Sequence, residues 1–491
     1  MPVILAIVVF TLIGLVYLVT LLSFYPGLPV ITRNAEILGS YRAIYPPFRM
    51  DEFNYYTIAR NIIEGNVYQE GSIEKSFTIG FPLLSVPFIF LWDKLGGYLA
   101  NLVIVWCSLF VFYRIARRYV SNLRALIMTA ILAFATLNWF YAVSLYTEPL
   151  AQLLILLGFF FLTEKGSPHR MPMFLSTAGA LTGLNLFVRP HYILLALPFF
   201  LCSWIGKEKH RLGFNHRAFW YVGGLAAVIL VWMIRNSLFF GGPLNFEYSR
   251  LVARLTGQDS ATGYSGNFFW GIHRLLFDRN HGLLPISPVL LLFPAGLHQM
   301  WKHGLKRESL TLLFSVVLIV VFIATTPYPY TEFGLGSRHM VPIIPLIFLP
   351  VIFFLDGTRF SRITLVALTA YSFWYAGIGW FTGGAEYVGE KGFFPGLLHD
   401  NNSRAILLVR KELLPRKSYR DVKELLEEFY DAREAGDYYR VFQTLHPAVL
   451  ENIRNNERSF MSYLRFQSIP DTLIVSLDPD KGILLKQINF R

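Results

Sequence analysis

The side chains best suited to chemistry in this sequence are the adjacent acids Asp51 and Glu52, in the stretch YPPFRMDEFNYYTIARNIIEGN at 45–66. A carboxylate of this kind can take a proton from an attacking hydroxyl. Charged and basic residues that could work with them are spread widely along the chain. Arg49 and Lys75 are close in sequence, and Glu148 lies in SLYTEPL. Arg189 and His191 lie in FVRPHY, Arg235 in WMIRNSLFFGGPL and His281 in FDRNHGLLPISPVLLL. Glu332, Arg338 and His339 share TEFGLGSRHMVPIIP. Arginine grips phosphate bidentately and stays charged where the dielectric is low. A few acids among several Arg and His are what a site for a lipid-linked phosphate needs, provided that the fold gathers them.

Each residue also has a plainer role open to it. Asp51 suits the N-cap of a helix over 52–64 that stops at Gly65. Glu148, just before Pro149, suits a first helical turn, where the dipole favours acids. Arg189 could snorkel to a membrane interface. His281 suits an ordinary loop and Lys75 a solvated surface. The chemical reading therefore rests on whether the set shares one face.

The elements that would position these residues are set by an oily composition. The 491 residues are 54% hydrophobic and 15% charged, with mean hydropathy +0.45. Soluble domains carry about 25% charged residues, so the composition is that of a membrane protein. Residues 2–24 hold no charge and are long enough to span a bilayer, which takes roughly 20 residues. They lack the basic start and short apolar core of a cleaved signal, so they read as a retained first span. The net charge of +12 fits basic cytoplasmic loops rather than nucleic-acid binding. Cys107 and Cys202 both lie in apolar runs, with no disulfide or metal spacing.

Further apolar runs lie at about 98–113, 125–141, 149–162, 172–188, 192–206, 218–238, 283–297, 309–326, 340–355 and 363–381, for about eleven spans in all. Basic loops at 114–124, 164–170, 206–217, 302–308 and 356–362 all fall on one side when the N-terminus is cytoplasmic. The run at 79–92 is short and holds two prolines, and a crossing there would invert every later loop. It is expected to be re-entrant or interfacial on the outer side. The outer face then holds 25–97, the turns near 142–148 and 189–191, the loop 239–282, the turn 327–339 and everything after about 382. The expected fold is thus an all-α polytopic membrane protein. It has a transmembrane domain over 1–385, with a large first outer loop, and a small α+β extracytoplasmic domain over 386–491. In the latter, SYRDVKELLEEFYDAREAG reads as an amphipathic helix ended by Gly436, and DTLIVSLDPDKGILLKQINF as two strands joined by a Pro-Asp-Lys-Gly turn. The charged residues named above all reach the outer face.

Several phrases recur in a telling order: Asp51-Glu52 in the first outer loop, GFPLL at 80–84, LYTEPLA at 145–151, GLNLFVRPHY at 183–192, HGLLPISPVLLL at 281–292 and GLGSRHMVPIIPLIFL at 334–349. In this order the chain resembles, over about residues 1–385, the GT-C superfamily of polytopic glycosyltransferases. That superfamily includes protein O-mannosyltransferases and the aminoarabinose transferases of lipid A. The resemblance implies an integral plasma (inner) membrane enzyme with a polyprenyl-phosphate-linked sugar as donor and a glycan, lipid or protein as acceptor. It implies that Asp51 or, second, Glu52 is the catalytic base. Arg338, with His339 beside it, would hold the donor phosphate. Arg189 matches a recurring Arg-Pro, and Arg49 and Lys75 would assist. Glu148, His191, Arg235, His281 and Glu332 would line the cavity. No metal is needed if arginines neutralise the leaving phosphate; a divalent cation on the acidic pair is the alternative. Two readings compete: a transporter or flippase for lipid-linked saccharide, which would more often show internal repeats, and an O-antigen-ligase-like transferase, which would not need the acidic pair. A non-catalytic membrane scaffold is a further alternative.

Overall fold

The computed structural model describes residues 2–24, 50–66, 77–164, 169–205, 217–245, 267–278, 282–326, 336–356, 358–381, 473–478 and 482–488. The chain divides into two compact units, Met1–Leu21 with Phe48–Leu398, and Leu22–Pro47 with His399–Arg491. The described part of the first unit is helical. Its main helices are α1 (Pro2–Phe24), α2 (Met50–Glu64), α3 (Gly80–Ala116), α4 (Asn122–Phe134), α5 (Glu148–Thr163), α6 (Met171–Leu184), α7 (Ala196–Trp204), α8 (Arg217–Phe240), α9 (Phe293–Lys302), α10 (Lys306–Ala324) and α11 (Arg359–Phe381).

Among the described residues, Ile4–Leu22, Gly80–Ala116, Ala218–Phe240, Lys306–Ala324 and Arg338–Leu355 are each long and apolar enough to cross a membrane; three other apolar helices are shorter. Large apolar side chains such as Ile4, Leu12, Leu238 and Phe360 face outward. Water would penalise that surface, whereas lipid accepts it. The chain is an integral membrane protein. The described parts of the apolar runs seen in the sequence are largely helical, but several are broken. The run 125–141 divides between α4 and a short helix at Asn138–Ala142. The run 340–355 is a 3₁₀ turn (Arg338–Ile343), one α turn (Ile344–Phe348) and a further 3₁₀ stretch (Leu349–Asp356). Pro342, Pro345 and Pro350 each remove a backbone donor and so interrupt the regular ladder. Buried residues from Met340 to Phe353 put this broken segment at the centre of the bundle.

The run at 79–92 is separated from the rest of α3 by a break. The first limb of α3 ends where Trp92 and Asp93 leave helical geometry, and Asp93 takes φ +48°. The chain folds back there, because a Cβ on Gly96 would lie 2.0 Å from the Phe88 carbonyl oxygen. In a straight helix those residues would be about 12 Å apart along the axis. Only glycine allows the two limbs to lie this close. A second close approach joins α6 to α8: a Cβ on Gly179 would lie 2.0 Å from the Tyr221 carbonyl oxygen, and one on Gly224 would lie 1.9 Å from that of Ser176. Gly179 and Gly183 form a GxxxG step, the small-residue pattern that brings membrane helices into backbone contact.

Helix α2 buries Tyr55, Ile58 and Ala59, spaced i, i+3, i+4, along one stripe. It packs on α3, with the Tyr55 ring 5.7 Å from that of Phe77 and 6.1 Å from that of Phe81. It ends at Gly65 with φ +75°, as expected. It begins earlier than expected, however: Met50 is already helical, so Asp51 stands within the first turn instead of capping it. In the second unit, β1 (Leu473–Asp478) and β2 (Gly482–Ile488) form an antiparallel hairpin with a register shift between Ile474 and Val475. This is the strand pair read from the sequence. The amphipathic helix expected before Gly436 lies outside the described residues.

Candidate active site

Four chain segments start or turn at one place. Asp51 and Glu52 are in the first turn of α2, and Glu148 is the first residue of α5. Arg189 is extended (φ −149°, ψ 92°) ahead of the 3₁₀ turn Pro190–Leu195, the conformation that a following proline favours. Arg338 opens the 3₁₀ turn Arg338–Ile343 of the buried central segment. All three acids sit in helical first turns, where the dipole stabilises negative charge.

The side chains form an alternating chain of charge. Asp51 Oδ2 accepts from Arg338 Nη1 at 2.7 Å. Arg338 Nε lies 3.1 Å from Glu148 Oε1, and the same oxygen accepts from Arg189 Nη2 at 2.5 Å. Glu148 is fully buried, the Arg189 and Arg338 side chains are 5% and 6% exposed, and Asp51 is the open member at 27%. The Arg338 guanidinium also lies 4.8 Å from the centroid of the Tyr146 ring. Breaking a buried ion pair from one side costs about 3–5 kcal/mol, yet an apolar replacement of the whole set is often no less stable. Stability alone therefore does not account for such a chain of charges.

Glu52 points elsewhere. Its Oε1 accepts the Leu145 backbone N–H at 2.9 Å, Tyr98 Oη lies 3.5 Å from Oε2, and the residue is 2% exposed. The 144–146 turn that offers this N–H is itself held by Asn101, whose Nδ2 donates to the carbonyls of Ser144 (2.7 Å) and Tyr146 (2.8 Å). Adjacent helical residues point about 100° apart, and here that angle separates an open carboxylate from an enclosed one.

The remaining candidates divide. His339 and His191 lie edge to face with ring centroids 6.0 Å apart, and Tyr192 donates its hydroxyl hydrogen to the His339 carbonyl. Arg235 lies over the rings of Phe187 and Phe240 and reaches Asn236 Oδ1 at 3.3 Å. Arg49, Lys75, His281 and Glu332 lie outside the described residues. Sequence reading missed Tyr146, Tyr98 and Asn101, which position the charged groups, and Gln152, one turn after Glu148 on the same face of α5. Glu148 Oε2, Thr147 Oγ1 and both polar atoms of the Gln152 amide are buried without a hydrogen-bond partner among the described residues. The i, i+4 spacing of Gln152 after Glu148 was the available signal for that residue. No group of three or more His, Cys, Asp or Glu that could hold a metal occurs among the described residues.

Chemically, the arrangement offers one accessible carboxylate linked to two buried guanidinium groups. No protein-family model and no curated protein sequence matches the chain. Among solved structures, the chain is similar to ArnT from Cupriavidus metallidurans bound to undecaprenyl phosphate. The TM-score is 0.51 at 14% identity, covering 82% of this chain and 72% of that one. The chain therefore shares the overall fold of that structure, the kind of fold that the resemblance in motif order led one to expect.

Proposed function

We propose that this protein is a membrane glycosyltransferase that moves a sugar from a polyprenyl-phosphate donor to an acceptor on the outer membrane face, with inversion. The observation that carries the reading is the chain Asp51–Arg338–Glu148–Arg189 on a GT-C-like fold. The solved neighbour's ligand, undecaprenyl phosphate, is the class of donor carrier this reading assigns. The orientation follows the loop charges, with the N-terminus cytoplasmic and the residues after about 382 outside.

In the proposed reaction the acceptor oxygen or nitrogen attacks the anomeric carbon. The bond from that carbon to the phosphate oxygen breaks, and its electron pair leaves with the polyprenyl phosphate. Asp51 receives the acceptor's proton. Arg338 and Arg189 stabilise the charge that develops on the phosphate, with Arg49, Lys75 and His339 as further phosphate-binding groups. Arg338 already holds Asp51, so the arriving phosphate competes with that carboxylate for Nη1. Asp51 is the most exposed member of the chain, so it is the one to yield. Its release from the cation makes it the stronger base as the donor seats. Glu148 stays between the two arginines and fixes their spacing. The scheme needs no metal, because the guanidinium groups neutralise the leaving group.

The test is to compare cell-envelope glycans by mass spectrometry with and without the protein, and to incubate purified protein with polyprenyl-phosphate-linked sugars. The expected result is a missing glycan and release of polyprenyl phosphate that depends on Asp51. Unchanged glycans together with no donor turnover would overturn the reading. Arg338→Lys is expected to weaken donor binding by about tenfold or more, since a point charge replaces a planar fork; unchanged affinity in a donor titration would remove Arg338 from the phosphate site.

A further inference from the structure

The other end of the bundle carries a second charged feature. Arg114, Arg117 and Arg118, at and just beyond the end of α3, line a cleft of about 460 Å³ with Phe160 and Glu164 from the end of α5. Arg118 is an anchor. Its Nη1 donates to the Phe160 carbonyl (2.9 Å) and to Thr163 Oγ1 (2.8 Å), and Nη2 pairs with Glu164. It thereby supplies a donor to the last turn of α5, whose carbonyls have no helical partner. Arg114 and Arg117 are exposed, and neither has a carboxylate at ion-pair distance among the described residues. Like charges at i, i+3 on a helix repel, so this part of the cleft favours an anion.

The face of α3 that leads to the cleft narrows the kind of anion. Val103, Cys107, Phe110, Arg114 and Arg117 recur at steps of four, three, four and three residues, which is one stripe of a helix. Val103 is 41% and Phe110 43% exposed, so an apolar track runs down to two arginines. The distance along the bundle fits as well. Glu148 to Glu164 on α5, and Tyr98 to Arg114 on α3, each span about 24 Å of helical rise, against a hydrocarbon core of about 30 Å. With the acids at one membrane surface, the cleft lies near the headgroups of the other. We propose that it binds the phosphate of an anionic phospholipid, with acyl chains along Val103 and Phe110 and the headgroup on Arg114 and Arg117. A free phosphate would gain nothing from the apolar track.

The test titrates the full-length, detergent-solubilised protein with phosphatidylglycerol or phosphatidylcholine and counts bound lipid by native mass spectrometry. The double variant Arg114→Gln/Arg117→Gln is expected to bind phosphatidylglycerol roughly thirtyfold more weakly, at the usual worth of two surface arginines against anionic lipid. The Arg114→Lys/Arg117→Lys variant, which keeps the charge, is expected to stay close to the parent. Both arginines are exposed, so folding should be unchanged, and thermal unfolding without lipid checks this. Equal phosphatidylglycerol binding by the parent and the Gln variant, or equal affinity of the parent for both lipids, would overturn the proposal. Inorganic phosphate separates the sources: if it stabilises the protein as strongly as phosphatidylglycerol, the cleft takes a free phosphate and the lipid assignment fails.

Discussion

Asp51 and Glu52 are neighbours in sequence but occupy different environments. Asp51 is partly open and shares Arg338; Glu52 is enclosed and holds the backbone N–H of Leu145. Their substitutions should therefore separate. Asp51→Asn removes the proposed base and is expected to lower sugar transfer by about 10²–10⁴-fold while thermal unfolding stays near the parent. Glu52→Gln keeps an oxygen that can accept the Leu145 N–H, so it is expected to retain most activity. Glu52→Ala leaves that donor unpaired inside the protein, at about 1–3 kcal/mol of stability, read as a lower unfolding midpoint. If Glu52→Gln instead abolishes transfer in folded protein while Asp51→Asn does not, the two roles are reversed. The types of these residues, and their gathering on one face, were legible from motif order and loop charge. The pairing was not: Asp51 and Arg338 are 287 positions apart, and spacing along the chain says nothing about which arginine meets which acid. Which way two adjacent carboxylates point also depends on where α2 begins, and a start at Met50 in place of Glu52 changes Asp51 from a cap into a pairing group.

At the scale of elements, hydropathy located the helices because it reports partitioning into lipid. It was blind to breaks within apolar runs, since Pro342, Pro345 and Pro350 are apolar enough to pass in a hydropathy window while interrupting the hydrogen-bond ladder. It was equally blind to the α6–α8 crossing. There a pair of adjacent glycines on α8 gives an internal control. A side chain at Gly224 would run into the Ser176 backbone at 1.9 Å, whereas Gly223 has nothing within 4 Å. Gly224→Leu must push two backbones apart and is expected to cost about 3 kcal/mol or to prevent folding, at or beyond the upper end of overpacking penalties. Gly223→Leu is expected to be neutral or slightly stabilising, by up to about 1 kcal/mol from helix propensity. Detergent unfolding of the two variants side by side measures the difference, and equal midpoints would mean that the helices do not cross at these glycines.

For the whole molecule, the charge pattern and the fold make a joint statement about sides. Asp51, Glu148, Arg189 and Arg338 lie at one end of the bundle, and Arg114, Arg117 and Glu164 lie about 24 Å along the same helices at the other. By the positive-inside rule, the proposed orientation has the Arg114–Arg117 end, together with the Lys302–Lys306 turn, in the cytoplasm. Cysteine labelling in intact cells tests this directly, because the two native cysteines are buried or half-buried and can first be replaced by Ala. Asn66→Cys, just past Gly65 at the exposed end of α2, is expected to react with a membrane-impermeant thiol reagent added outside. Lys302→Cys, exposed at the end of α9, is expected to react only after the membrane is opened. Both sites are exposed, so a failure to label reports on side and not on burial. The reverse pattern would put the Asp51 end in the cytoplasm, and an outward-facing transfer reaction would then have no catalytic base on its own side.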